Sequence, residues 1–126
     1  MLKEPVNSTP LEYLIDTYCT AWSEPDSVRR DQIIKSVWAN DGTYTDPNVD
    51  VDGVEALSEH IGRVIARRPG AHVIRTSAVD RHHNLVRFLW KVVLPDGSSL
   101  VQGIDFAELS EAGNLRRIVG FFGPLA

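Results

Sequence analysis

From His72 onward the sequence is a succession of four runs rich in β-branched and aromatic residues: "HVIRTSAV", "LVRFLWKVV", "SLVQGIDFAEL" and "LRRIVGFF". Only the turn-forming stretches "DRHHN", "PDG" and "SEAGN" separate them. Connections that short leave no room for a crossover, so neighbouring strands are expected to pair antiparallel. Such a sheet must bury one face, and the first half of the chain has to supply the cover.

That half reads as three helices. "TPLEYLIDTYCTAW" opens with Thr9 as a cap, Pro10 at the first helical position and Glu12 closing a capping box. Leu11, Leu14, Ile15, Tyr18, Cys19 and Trp22 follow at helical spacing on one face. "SEPDS" breaks the chain. A second helix is predicted over 27–38, with Ile33, Ile34, Val37 and Trp38 inward and "NDG" as its end. "TYTDPNVDVDG" reads as a short extended or turn segment. Asp52 caps a third helix, with Glu55 as reciprocal partner, and Val54, Leu57, Ile61, Val64 and Ile65 form its stripe until "RRPG" stops it.

Helices first and a strand meander second define an α+β domain, a single one over 1–126. Long twisted strands would wrap the helices into a cone with a cavity at its open end. The chain is 43% apolar, enough for a core, and its 24% of charged residues argues against global disorder. With 13 basic against 17 acidic residues the net charge is -4. The one basic cluster, "RVIARR", reads as a solvated helix end complementing the helix dipole. Nucleic acid is therefore not an expected partner. Cys19 is the single cysteine, so no internal disulfide forms, which fits a reducing compartment. "MLKEPVNSTP" has no apolar leader core, and no run approaches membrane-span length. The expectation is a cytoplasmic protein with no membrane contact.

One acid is out of place in this pattern. In "VQGIDFAEL" the alternation puts Asp105 on the face of Val101, Gly103, Ala107 and Leu109, among small and apolar neighbours. A carboxylate there is costly to bury unless it is paired, hydrogen-bonded or protonated. Gly103 on the same face, and Gly120 between Ile118 and Phe122, remove side chains from the inner surface. They mark either a bulge and tight curvature or room for a ligand. Asp46 precedes Pro47 and follows Tyr44 by two residues; such a pair is commonly a turn starter. Tyr18 lies in the apolar stripe of the first helix, so its buried hydroxyl needs a partner. His60 lies between Leu57 and Val64 on the inner face of the third helix. His82 and His83 fall in a hairpin turn, and His72 starts a strand. No His or Cys pair shows metal-ligand spacing, so no metal is expected. Phosphate loop, dinucleotide fingerprint and nucleophile elbow are all missing.

The order of elements and the segments "YCTAW", "VWANDGTYTDP", "GVEALSEHI", "GIDFAEL" and "IVGFFGP" resemble the nuclear transport factor 2-like superfamily, and within it the ketosteroid isomerases and SnoaL-like polyketide cyclases. The resemblance covers nearly the whole chain and implies a cystatin-like cone. In the isomerases a helix-one tyrosine, the aspartate of a "DP" pair and a strand aspartate within "ID" form the catalytic set. Tyr18, Asp46 and Asp105 hold those positions here. The resemblance implies that Asp46 takes a proton from carbon beside a ketone and returns it elsewhere on the conjugated system. Tyr18 and a protonated Asp105 would donate hydrogen bonds to the enolate oxygen, with no cofactor.

Departures from the isomerases are visible. They carry a further tyrosine on helix three, where this chain has Ile61 with His60 beside it. Trp22, Trp38 and Trp90 would crowd the pocket, and His60, Gly103 and Phe122 complete the expected binding surface for a small hydrophobic molecule. A compact ketone or a polyketide-derived ring is then as plausible a substrate as a steroid. Three other readings stay open: a SnoaL-like cyclase closing a ring by aldol addition with Asp105 as acid–base, an epoxide hydrolase with Arg75 between two acids, and a non-catalytic binding or assembly module. The opposite sheet face, with Gln102, Ile104 and Phe106, needs cover, and a second copy of the chain would give a homodimer.

Overall fold

Helix α1 (Pro10–Ala21) begins as its sequence dictates. Thr9 Oγ1 accepts from the Glu12 backbone N–H at 3.0 Å, and Glu12 Oε1 accepts from the Thr9 N–H at 3.0 Å. Such a cap contributes about 1 kcal/mol. The structure, a computed structural model, describes residues 9–123. The leader reading over 1–8 and the proline that ends "IVGFFGP" lie outside those residues. Helix α1 buries Ile15, Tyr18, Cys19 and Ala21.

Helix α2 (Ser27–Val37) is capped by Asp26, whose Oδ2 accepts from the Arg29 N–H at 2.9 Å. Its buried Arg30 ties it to the third helix. The guanidinium donates to the carbonyl and hydroxyl of Ser58, both at 3.1 Å, and to the Glu24 carbonyl at 2.9 Å. Those bonds offset the cost of burying a cation.

The helix stops one residue before the predicted end. Trp38 begins strand β1 (Trp38–Asp46), and "NDG" lies inside that strand instead of ending the helix. Gly42 is the reason. A Cβ there would sit 2.2 Å from Trp38 Nε1, so the glycine is the seat of the indole and not a helix stop. The pairing of β1 shifts register between Trp38 and Thr43 around this contact. Strand β2 (Val49–Asp52) pairs antiparallel with β1, so "TYTDPNVDVDG" is a hairpin arm and its partner. Asp52 occupies the N-cap position of helix α3 (Gly53–Arg67) but makes no side-chain capping bond, so the box with Glu55 does not form. Asp52 is still part of β2, and Gly53 makes the turn at φ +85°.

Only the first half of "HVIRTSAV" is a strand, and the predicted turn "DRHHN" opens with another. Strand β3 (His72–Arg75) pairs with the far end of strand β5 (Leu85–Val93), and β4 (Asp80–His82) pairs with its beginning. Between them Ser77 Oγ takes the Leu89 N–H at 2.8 Å, where a continuous strand would have offered a carbonyl. His82 therefore ends a strand, and His83, at φ 57°, makes the turn with Asn84. Both imidazoles are exposed.

Strands β5, β6 (Ser99–Leu109) and β7 (Leu115–Phe122) form the predicted antiparallel meander. The seven-stranded curved sheet runs β2-β1-β7-β6-β5-β3, with β4 beside β5. Strand β1 lies parallel to β7, which makes the sheet mixed. The three helices pack on its inner face around Ile15, Ile34, Leu57, Ile61, Leu115 and Ile118, all fully buried. Truncating any of these to alanine costs about 2–5 kcal/mol. No helix among the described residues is long and apolar enough to cross a membrane.

Candidate functional site

Strand periodicity sets the floor of the site. Residues two apart on a strand share a face, so Tyr44 and Asp46 both point inward from β1. Tyr44 Oη donates to Asp46 Oδ2 at 2.6 Å, and the Asn48 N–H donates to Asp46 Oδ1 at 2.8 Å. The second bond is the turn that "DPN" encodes. Asp46 is half-buried, and each of its oxygens keeps a lone pair for another partner.

Asp105 comes to the same place from β6. Phe88, Asp105 and Gly120 lie side by side across β5, β6 and β7. A Cβ on Gly120 would be 2.9 Å from Asp105 Oδ1, 3.5 Å from the Asp46 Cβ and 3.7 Å from Tyr44 Oη. Gly120 thus makes room for the site's own carboxyls. Gly103 acts likewise for Trp90, since a Cβ there would lie 2.5 Å from the indole. Both glycines open space that side chains of this chain occupy.

Asp105 is 6% exposed. Its one hydrogen bond among the described residues comes from Trp90 Nε1, which donates to Oδ1 at 2.9 Å. No cation of the described residues pairs with it. Burial pushes its carboxyl up to about 7; the Trp90 bond opposes that rise, and the charge of Asp46 adds to it. Trp90 occupies Oδ1, so Oδ2 is the oxygen free to carry a proton.

Tyr18 is 2% exposed, and among the described residues its buried hydroxyl has no hydrogen-bond partner. Burial foremost, then the charge of Asp105, hold its pKa well above the ordinary value. It remains a neutral donor. Ile61, where the isomerases carry a second tyrosine, is buried in the core and offers Tyr18 no hydroxyl. A buried hydroxyl with no partner is unfavourable by about 1–3 kcal/mol unless a ligand satisfies it.

Tyr18, Asp46 and Asp105 line one cavity of about 330 Å³. That is at the small end of the roughly 300–1,000 Å³ range for small-molecule sites. Trp22, His60, Trp90 and Phe122 are in its wall. Trp22 packs against Tyr44 and edge-on to His60, with ring centroids 5.5 and 5.9 Å apart. Trp90 meets Phe122 edge-on at 5.8 Å. Burial lowers the His60 pKa; Asp46 opposes this, and Arg63 and Arg67 add to it. Trp38 and Gly103 are not in the wall. Trp38 stacks on the far side of Tyr18, ring centroids 5.9 Å apart, and its Nε1 is buried without a partner.

Three polar wall residues were not singled out as site residues from the sequence: Asn48, Arg67 and Arg68. Tyr44 was noted only as the neighbour of Asp46. Its placement two residues before an inward aspartate on a strand was the signal that could have found it. Arg75 does not bridge two acids. Its Nε and Nη2 donate to Asp16 at 2.8 and 2.9 Å, tying β3 to α1. The Asp-Arg-Asp arrangement of the hydrolase reading is therefore not formed. Among the described residues no three His, Cys, Asp or Glu side chains group around a metal position.

Solved structures share this architecture. A candidate isomerase of the SnoaL-like family from Agrobacterium tumefaciens superposes with a TM-score of 0.83 and 29% identity, over 89% of this chain and 96% of that one. A candidate ketosteroid isomerase from Kribbella flavida gives a TM-score of 0.66 at 15% identity, over 92% and 79% of the two chains. A candidate SnoaL-like polyketide cyclase from Jannaschia gives 0.65 at 14% identity, over 94% and 91%. The last two share the fold alone. No family model matches the sequence. No curated protein matches it either.

Proposed function

We propose that this chain, a nuclear transport factor 2-like superfamily protein by its fold, catalyses cofactor-free proton transfer on a small carbonyl compound, moving a double bond through an enolate. One observation carries the reading. A half-buried carboxylate, a carboxyl with a pKa of about 7 and an unpartnered tyrosine hydroxyl converge on one cavity. An enolisation needs a base and donors for the oxygen that becomes negative. Asp46 would take the proton from carbon next to the ketone and return it further along the conjugated system. Tyr18 and protonated Asp105 would donate to the developing oxyanion. A carboxylic acid can do that only while neutral, which its apolar setting favours. Tyr44 would hold Asp46 in place.

The test is isomerisation of β,γ-unsaturated ketones, an androstenedione isomer and smaller cyclic ketones among them, followed by the ultraviolet absorbance of the conjugated product. A wild-type protein inert on the steroid removes the steroid version, and one inert on the whole series removes the reading.

The aldol cyclase remains the second reading, because a carboxyl with a pKa of about 7 can both accept and donate a proton at neutral pH. In that case Asp105 would be the proton carrier and Asp46 dispensable. A pure interaction module would have its cavity filled by side chains, and this cavity is open.

A further inference from the structure

The floor and the mouth of the cavity differ in charge. Asp46 and Asp105 lie at the floor, while Arg67 and Arg68 line the wall where α3 ends. Read as a sequence, the two arginines only complement the helix dipole. In the structure they border the cavity, and no carboxylate of the described residues lies within ion-pair distance of either. Neither guanidinium donates a side-chain hydrogen bond to any described residue, whereas those of Arg30, Arg75, Arg81 and Arg87 all do. Two unneutralised cations beside one opening, in a chain of net charge -4, form a local field opposite to that of the molecule.

Their position along the helix gives a length. His60, Val64 and Arg67 follow one stripe of α3, all three in the cavity wall. His60 marks the deep end, against Tyr44 at a ring-centroid distance of 6.2 Å. Seven residues of helix span about 10 Å. Between the two ends the wall is apolar, with Val64, Val73, Val92 and Val101.

We propose that the molecule this cavity accepts is an anionic ketone: its carbonyl end reaches Tyr18 and Asp105, and a carboxylate at its other end pairs with Arg67 and Arg68. The proposal rests on the enolate reading for the floor of the site and adds the anionic end. Guanidinium pairs bind planar carboxylates through two parallel N–H bonds, which fixes orientation as well as adding affinity. A neutral ketone of the same apolar body would bind without that orientation.

Two probes test it. 2-Naphthol offers an enol-like hydroxyl on an apolar body, and 6-hydroxy-2-naphthoate is the same body with a carboxylate at the far end. Calorimetric titration of the wild type is expected to show the naphthoate binding about tenfold tighter than the naphthol at low salt. That preference should shrink as salt is raised. In the double variant Arg67→Gln, Arg68→Gln the preference should vanish while 2-naphthol binds as before, which also shows that the fold is intact. Equal binding of the two probes by the wild type would overturn the anionic end and leave the enolate floor standing. A preference that survives in the double variant would overturn the assignment to these arginines. A preference lost in the variant, in a protein inert on every ketone, would uphold the anionic end and reject the acid–base reading. If neither probe binds, both are rejected.

Discussion

Asp105 and Gly120 face each other across β6 and β7, and the absent side chain of one leaves room for the carboxyl of the other. A methyl group at position 120 would lie 2.9 Å from Asp105 Oδ1, an atom already held by Trp90. It cannot be accommodated unless the carboxyl moves. Gly120→Ala is expected to destabilise the fold by about 1–3 kcal/mol and to lower turnover at least tenfold. Chemical denaturation and the ketone assay measure the two effects. Unchanged turnover would show that the placement of Asp105 is not critical.

Asp105 also makes stability depend on pH. Its folded pKa of about 7 lies above the ordinary 3.8, so the folded state holds a proton that the unfolded chain releases between those values. The stabilisation is complete below about 4, declines as pH rises through the window and is gone above about 7. The slope is roughly 1.4 kcal/mol for each pH unit. Asp105→Asn should flatten this part of the curve. Urea melts at pH 4.5, 6 and 8 on both proteins provide the check, and parallel curves would refute the raised pKa.

Trp90 holds the carboxyl partly in its charged form, because its N–H donates to Oδ1 and so favours ionisation. Trp90→Phe removes the donor and keeps an aromatic ring. The Asp105 midpoint should move up from about 7, read by carbon-13 NMR of the side-chain carboxyl. A downward move would mean that the Trp90 N–H does not favour the ionised carboxyl.

Asp46→Asn removes the base; its amide oxygen can still accept from the Asn48 N–H, and its NH2 takes the place of the oxygen that accepts from Tyr44, whose hydroxyl can accept in turn. Turnover in the ketone assay should fall about 10²–10⁴-fold, with little change in melting temperature. The same variant tested for aldol ring closure discriminates the two chemistries. Closure that survives Asp46→Asn and is lost in Asp105→Asn would move the assignment to the cyclase.

On the outer sheet face Leu89, Ile104 and Phe121 stand side by side across three strands, and Phe106 meets Phe121 edge-on at 6.1 Å. Phe106 is 41% and Phe121 53% exposed. We propose that a second copy of the chain covers this row. Sedimentation at micromolar concentration should give a dimer, and Phe121→Glu a monomer. A monomeric wild type would refute the pairing.

The α+β order, the capping box of α1 and the inward placement of Asp105 were legible because each depends on local spacing. Alternation alone put Asp105 among Gly103, Ala107 and Leu109. What was not legible depended on distant partners. Gly42 reads as a helix stop until Trp38 is seen lying over it. The break after Arg75 needs Ser77 to meet Leu89 on another strand. Trp38 has the composition of a pocket residue, but packing put it behind Tyr18. Arg67 and Arg68 read as an ordinary helix end until the cavity is seen to open beside them.

The parallel contact of β1 with β7 has a bearing on how the protein is made. By residue 105 the growing chain already contains Tyr18, Asp46 and Asp105. It cannot yet hold the two acids together, because β7, the last described strand, lies between β1 and β6. The sheet is therefore open down its middle until that strand arrives. Pairings between segments so far apart in sequence are slow to form, and unpaired strand edges promote aggregation meanwhile. The same short segment is the keystone of the sheet and the partition between the two carboxyls, so the chain should acquire its chemistry in the step that completes its fold.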